Sequence, residues 1–206
     1  GQGTAPQGTV NRQGATCICC GTPVSLDHIR SEGRAGRIGA QMMAIVAEGH
    51  NARIYLPPTS EQEVLAAQAK PEWAPETDLP EQALSFRVQL YGMTHHRDLF
   101  TSRQLVALTT FSDLVGEAWD RVQCDAVAAG LFEDDVPLAE CGTGATAYAS
   151  AVATYLAFAV DRNVDRGSTI CSWDSSPKME ALRNTFARHA IPMTWDFAEG
   201  NPLRTR

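Results

Sequence analysis

The chain has 206 residues, 44% of them hydrophobic, with a formal net charge of -7 and a pI near 5.2. That length suits one core, or a core with a small satellite module. The acidic balance excludes a protein that binds nucleic acid through a diffuse basic field, so any DNA contact must come from a local basic patch.

No signal peptide opens the chain, and the longest apolar run, 147–160, contains Ser150 and Thr154 and is too short to span a bilayer. The expected location is the cytoplasm, with no membrane partner. Six cysteines without a secretion signal then point to reduced thiols or metal ligands. The linker-like start GQGTAPQG and the ending NPLRTR suggest a piece of a longer protein.

In chain order, residues 9–16 form a short strand or hairpin leading into Cys17-Ile18-Cys19-Cys20-Gly21. Cys17 and Cys20 make C-x-x-C, a spacing that lets two thiolates from one turn reach the same zinc ion at about 2.3 Å. One pair is half of a tetrahedral site. Within the chain, His28 and Cys19 are the nearest further ligands, and a thiol-rich turn without metal is the other reading. Residues 27–37, DHIRSEGRAGR, place Arg30, Arg34 and Arg37 among glycines. This is either a phosphate-contact loop, with glycine permitting close backbone approach, or a solvated connector.

Residues 41–49 and 52–56 read as two apolar strands around a turn, ended by Pro57-Pro58. A short helix over 61–70 follows, capped by Thr59 or Ser60. Pro71, Pro75 and Pro80 then mark a surface connector. Residues 86–90 suit a strand, and His95-His96 sits in the loop before a long helix.

That helix, 101–130, carries Leu105, Leu108, Phe111, Val115, Ala118, Trp119, Val122 and Ala126 on one stripe. Thr101 with Gln104 fits a capping box, and Gly130 gives the stop. Cys141-Gly142-Thr143-Gly144-Ala145-Thr146-Ala147 has the form G-x-G-x-x-A. A cofactor turn of this type needs a strand running into its first glycine, and LFEDDVPLAE is no such strand. A loop feeding the next helix accounts for both glycines. That helix, 146–163, is apolar nearly all round and is expected to be central and buried, packed against 101–130 as the core. A third helix beginning at Ser176-Pro177 and an extended tail over 189–201 complete the expectation.

The phrases TCICCG, GRIGAQMMAIVAEG, RIYLPPT, LFTSRQLVALTTFSDLV, GTGATAYASAVATYLAFAVDR, STICSWDS and RNTFARHAIPMTWDFAEGNP resemble the middle of large prokaryotic adenine-specific DNA methylases that contain a zinc ribbon and a domain of unknown function. The resemblance runs from about residue 8 to 203. It implies that the glycine-rich S-adenosylmethionine motif precedes this region and the Asp-Pro-Pro-Tyr catalytic motif follows it, so no catalytic or cofactor-binding residue is assigned here. It also implies ribbon cysteines upstream that complete the zinc site at Cys17 and Cys20.

The expected fold is α+β: a small β-rich zinc-ribbon-like part with a hairpin (1–58), a short helix and Pro-rich connector (59–100), then a mainly helical part with two long packed helices (101–206). The expected function is that of a central methyltransferase segment that supports the catalytic core or positions DNA, with DNA and the rest of the enzyme as partners. The alternative is a non-enzymatic zinc-ribbon and helix module acting as scaffold or DNA adaptor.

Overall fold

A computed structural model describes residues 8–81, 87–176, 179–187 and 189–203. Among these the fold mixes four α-helices with three two-stranded antiparallel sheets. No described helix is long and apolar enough to cross a membrane.

Strands β1 (Gly14–Thr16) and β2 (Pro23–Ser25) pair in the register Ala15 opposite Val24. A bridge from Val10 to Ala15 adds a third, partial strand. The chain then enters α1 (Leu26–Arg34), where Ser25 accepts the His28 backbone N–H at 3.2 Å. The expected loop at 27–37 is therefore mostly a helix. Glycine in the segment suggested a loop, yet a capped first turn and a packed glycine make it helical.

The hairpin expected next is present as β3 (Ile45–Glu48) and β4 (Arg53–Leu56), followed by α2 (Ser60–Gln68) with a capping box from Thr59 to Gln62. The strand expected at 86–90 is instead a 3₁₀ turn, Val88–Tyr91; Phe86 lies outside the described residues. Gly92, at φ 92°, closes that turn with its N–H on the Gln89 carbonyl.

The long helix is α3 (Ser102–Ala128), opened by the Thr101–Gln104 capping box. The backbone N–H of Thr101 donates to Gln104 Oε1 at 2.8 Å, and Gln104 Nε2 donates to Glu199 at 2.7 Å. Arg103 meets the same carboxylate at 2.6 Å, so Glu199 fastens the C-terminal segment to the start of α3. Helix α4 (Ala145–Val164) returns alongside α3, with Trp119 Nε1 donating to Ser150 Oγ at 3.1 Å and Gln123 Nε2 to Thr146 Oγ1 at 2.8 Å.

The pairing of the two helices is as expected, but the burial of α4 is not. Only Ala145, Thr146, Ala147 and Ala149 of its first turns are enclosed. Tyr148 and Phe158 are open, and Tyr155 is 76% exposed. An all-round apolar helix needs several neighbours, and here α3 lies along it while the 3₁₀ turn Leu138–Glu140 and its loop cover only the first turns.

The core lies elsewhere. Leu79, Val88, Leu99, Ile170 and Ile191 form the buried cluster, with Met93, Phe100 and Met193 packed on it. The Pro-rich connector and the tail are laced together around this cluster. Leu79 N donates to Thr94 O at 2.7 Å, Arg87 N to Ile191 O at 3.0 Å, and Thr169 N to Leu99 O at 2.8 Å.

No helix follows α4 among the described residues. Asp174 Oδ1 takes the Ser176 N–H at 3.0 Å and β5 (Trp173–Asp174) pairs with β6 (Ala181–Leu182) where the third helix was expected; Pro177, Lys178 and Arg188 of that expectation lie outside the described residues.

Candidate functional site: a cysteine hairpin and an arginine-lined cleft

The turn between β1 and β2 carries the C-x-x-C. Cys17 N donates to Thr22 O at 3.0 Å and Gly21 N donates back to Cys17 O at 2.9 Å, with Gly21 in the left-handed region at φ 72°. The turn leaves Cys19 and Cys20 exposed and Cys17 half-buried. Cys20 Sγ lies 3.1 Å from Thr22 Oγ1. Hydrogen bonding from the Thr22 hydroxyl, then the Thr22 backbone and the Cys17 thiol, holds the Cys20 thiol below its ordinary value.

Cys17 and Cys20 are thus the two thiols of the turn that could hold a metal ion. Among the described residues no cluster of three His, Cys, Asp or Glu is formed, so neither His28 nor Cys19 joins Cys17 and Cys20.

The three arginines of the α1 region part ways. Arg37 forks onto Glu32 with two bonds of 2.7 Å, and this pairing lowers the Glu32 pKa and raises that of Arg37. Arg34 is exposed in the last turn of α1. Arg30 turns inward. Its guanidinium carbon stands 6.0 Å from the centre of the Tyr91 ring, and its Nη1 makes a long 3.4 Å contact with the exposed Asp27. Its Nε is buried and has no hydrogen-bond partner.

Arg30 opens on a cleft of about 700 Å³, which Arg12 and Arg87 also line. Tyr91 and Trp195 form an aromatic corner there, ring centres 5.4 Å apart and planes at 90°. Leu26, Leu90, Pro192 and Met193 supply apolar surface, and among the described residues no carboxylate lines the cleft. Within a chain of net charge -7, this is a local basic concavity with ring surface.

Four chain segments build the cleft. Asn11 Oδ1 accepts the Gln13 and Gly14 N–H groups at 2.8 and 3.2 Å, fixing the turn that carries Arg12. That turn sits at one end of β1 and the cysteine turn at the other, and neither Cys17 nor Cys20 lines the cleft. The Arg87–Ile191 hydrogen bond lays the Pro192–Trp195 segment along the 3₁₀ turn.

Sequence reasoning reached Arg30 but missed Arg12, Arg87, Tyr91 and Trp195. They share no spacing, and the one signal available is arginine and aromatic side chains scattered through an acidic chain.

The G-x-G-x-x-A turn does what a loop feeding a helix requires. A 3₁₀ turn, Leu138–Glu140, precedes it. A Cβ on Gly142 would overlap the Val136 carbonyl, and one on Gly144 would lie 2.6 Å from Asp134 Oδ1 and 2.8 Å from the Phe132 carbonyl oxygen. The chain's own acidic loop fills the space. His95 and His96 serve the connector: His95 Nε2 lies 3.2 Å from Asp78, and His96 Nδ1 lies 3.0 Å from Thr77 Oγ1.

Comparison with protein-family models, curated proteins and solved structures finds no match to this chain.

Proposed function

We propose that this chain is the central segment of an S-adenosylmethionine-dependent, adenine-specific DNA methyltransferase, and that its contribution is to position DNA against a catalytic centre supplied by the rest of the enzyme. The resemblance set out above motivates the enzyme class. The observation that carries the DNA role is the convergence of Arg12, Arg30 and Arg87 on one cleft lined by no described carboxylate, in an otherwise acidic chain. Guanidinium groups in a concave wall suit phosphate oxygens, which they bind as paired donors.

In this reading Cys17 and Cys20 are half of a zinc ribbon. Zinc would supply a structural crosslink at the far end of β1, holding the hairpin on which the Arg12 turn depends. The surface left open along α4 and the β3–β4 hairpin suits a segment that docks against the remainder of a larger enzyme. S-adenosylmethionine belongs to that remainder, and no residue here is assigned to it.

The test is titration of fluorescein-labelled duplex DNA with the chain, followed by anisotropy at several salt concentrations. Binding should weaken with salt, and Arg12→Ala and Arg87→Ala should each flatten the salt dependence by about one phosphate contact. Duplex affinity unchanged in the double variant would overturn the DNA role of this cleft.

A further inference from the structure

Resting on the DNA reading above, we propose that the Arg12–Arg30–Arg87 cleft takes an unpaired nucleotide of a DNA strand, its phosphate on the arginines and its base on the Trp195–Tyr91 corner.

Three observations carry this. First, the cleft combines cations with ring surface. A fully paired duplex presents phosphates to a protein but keeps its base faces stacked inside. The aromatic pair would then have nothing to contact, whereas an unpaired base offers a π-face. Trp195 lines the cleft and is 40% exposed although Tyr91 meets it edge-to-face, so ring surface remains open there.

Second, Arg30 keeps a donor that no described neighbour satisfies. Its side chain is 30% exposed and its Nε is buried without a partner. A buried donor left unpaired costs free energy that an incoming oxygen would recover. The Tyr91 ring holds the guanidinium at the cleft wall through a cation–π contact, and the long 3.4 Å bond from Nη1 to the exposed Asp27 is one that a phosphate oxygen can compete with.

Third, the cleft volume of about 700 Å³ accommodates a nucleotide rather than a lone ion. It falls within the range of about 300–1,000 Å³ typical of sites for molecules of that size. Apolar surface from Leu90 and Met193 beside the rings suits a base edge.

The experiment compares three labelled duplexes of one sequence: fully paired, with a single-nucleotide bulge, and with the same bulge made abasic. Each is titrated with the chain and with Trp195→Ala and Trp195→Phe. The bulged duplex should bind about tenfold more tightly than the paired one, as expected for one stacked base. The advantage should vanish with the abasic bulge and in Trp195→Ala, and persist in Trp195→Phe. The abasic arm uses the unaltered protein, so it decides the matter even if Trp195→Ala misfolds. Equal binding of all three duplexes would overturn this inference and leave the DNA reading standing. Failure of the chain to bind any of them would overturn both.

Discussion

Gly33 and Gly92 meet backbone to backbone. A Cβ on Gly33 would lie 2.5 Å from the Tyr91 carbonyl oxygen, and one on Gly92 would lie 2.6 Å from the Gly33 carbonyl oxygen. This contact presses α1 onto the 3₁₀ turn and sets Arg30, one helical turn before Gly33, over the ring of Tyr91, the residue next to Gly92. The apparent loop-forming glycine of the α1 region is therefore a packing glycine inside a helix.

Gly33→Ala should show which effect wins. Alanine favours the helix by about 0.5–1 kcal/mol over glycine, but here its methyl group meets rigid backbone. Overpacking of this kind costs about 1–3 kcal/mol. The expected outcome is net destabilisation in urea titration, together with a change in the emission of Trp195 as Tyr91 is displaced. A variant more stable than the parent would show that α1 can move freely off the turn.

The core makes a sharper test. Leu99 is fully buried in the cluster with Leu79, Val88, Ile170 and Ile191, whereas Leu156 on α4 is 39% exposed and Phe111 on α3 is half-buried. Leu99→Ala should cost about 2–5 kcal/mol. Leu156→Ala, expected from the sequence to be as costly, should cost well under that, because little of its surface leaves water. Urea unfolding of both variants measures the difference, and equal losses would place the core between α3 and α4 after all.

Sequence periodicity found what depends on a residue's immediate neighbours. Thr101 with Gln104, the cap candidates Thr59 and Ser60, and the apolar runs at 41–49 and 52–56 act over a few residues, and the capped helices and the hairpin form there, with the strands trimmed to 45–48 and 53–56. What depended on distant partners was hidden. Leu79, Val88 and Ile191 are single apolar residues in irregular segments, so no period marks them as the core. The apolar composition of α4 states that it can be buried, not that this chain buries it. Of the cleft, Arg30 was visible as one of three arginines in a glycine-rich stretch. Arg12 is placed there by the Asn11 turn, and Arg87, Tyr91 and Trp195 by the Gly33–Gly92 contact and the Arg87–Ile191 hydrogen bond, neither of which has a sequence signature.

Asp174 gives a pH signature for the β5–β6 region. The Ser176 hydroxyl and backbone N–H, followed by the Arg183 guanidinium 3.0 Å away, lower its pKa from 3.8 to about 2. A carboxylate depressed in the folded state contributes stability that is present above its unfolded value. That contribution is lost as pH falls through the folded one. The urea midpoint should therefore decline between about pH 4 and pH 2. Nuclear magnetic resonance titration of the carboxyl should place its midpoint near 2. Ser176→Ala should move that midpoint upward, and an unmoved midpoint would show that the Ser176 bonds do not hold the charge.

The cysteine hairpin sets the last expectation. The Thr22 bonds and the neighbouring Cys17 thiol lower the Cys20 pKa, and in the proposed zinc ribbon these two thiols are the ligand pair. Tetrahedral zinc takes four, and the described residues gather no third. With only one chelating pair, the 206-residue chain should hold zinc weakly and lose it on dialysis against a mild chelator. If the methylase reading holds, a longer chain that carries the upstream ribbon cysteines closes the chelate, and binding becomes coupled to folding of the hairpin. Zinc content after dialysis, measured for both lengths and for each with Cys17→Ser and Cys20→Ser, reads this directly. The longer chain should retain one ion, and either substitution should remove it. A longer chain that retains no zinc, or retains it equally well without both cysteines, would make these thiols ordinary turn residues. The depressed Cys20 would then need another account. Thr22→Val adds an independent readout, since loss of the hydroxyl should raise the pH at which Cys20 is alkylated whether or not metal is ever bound.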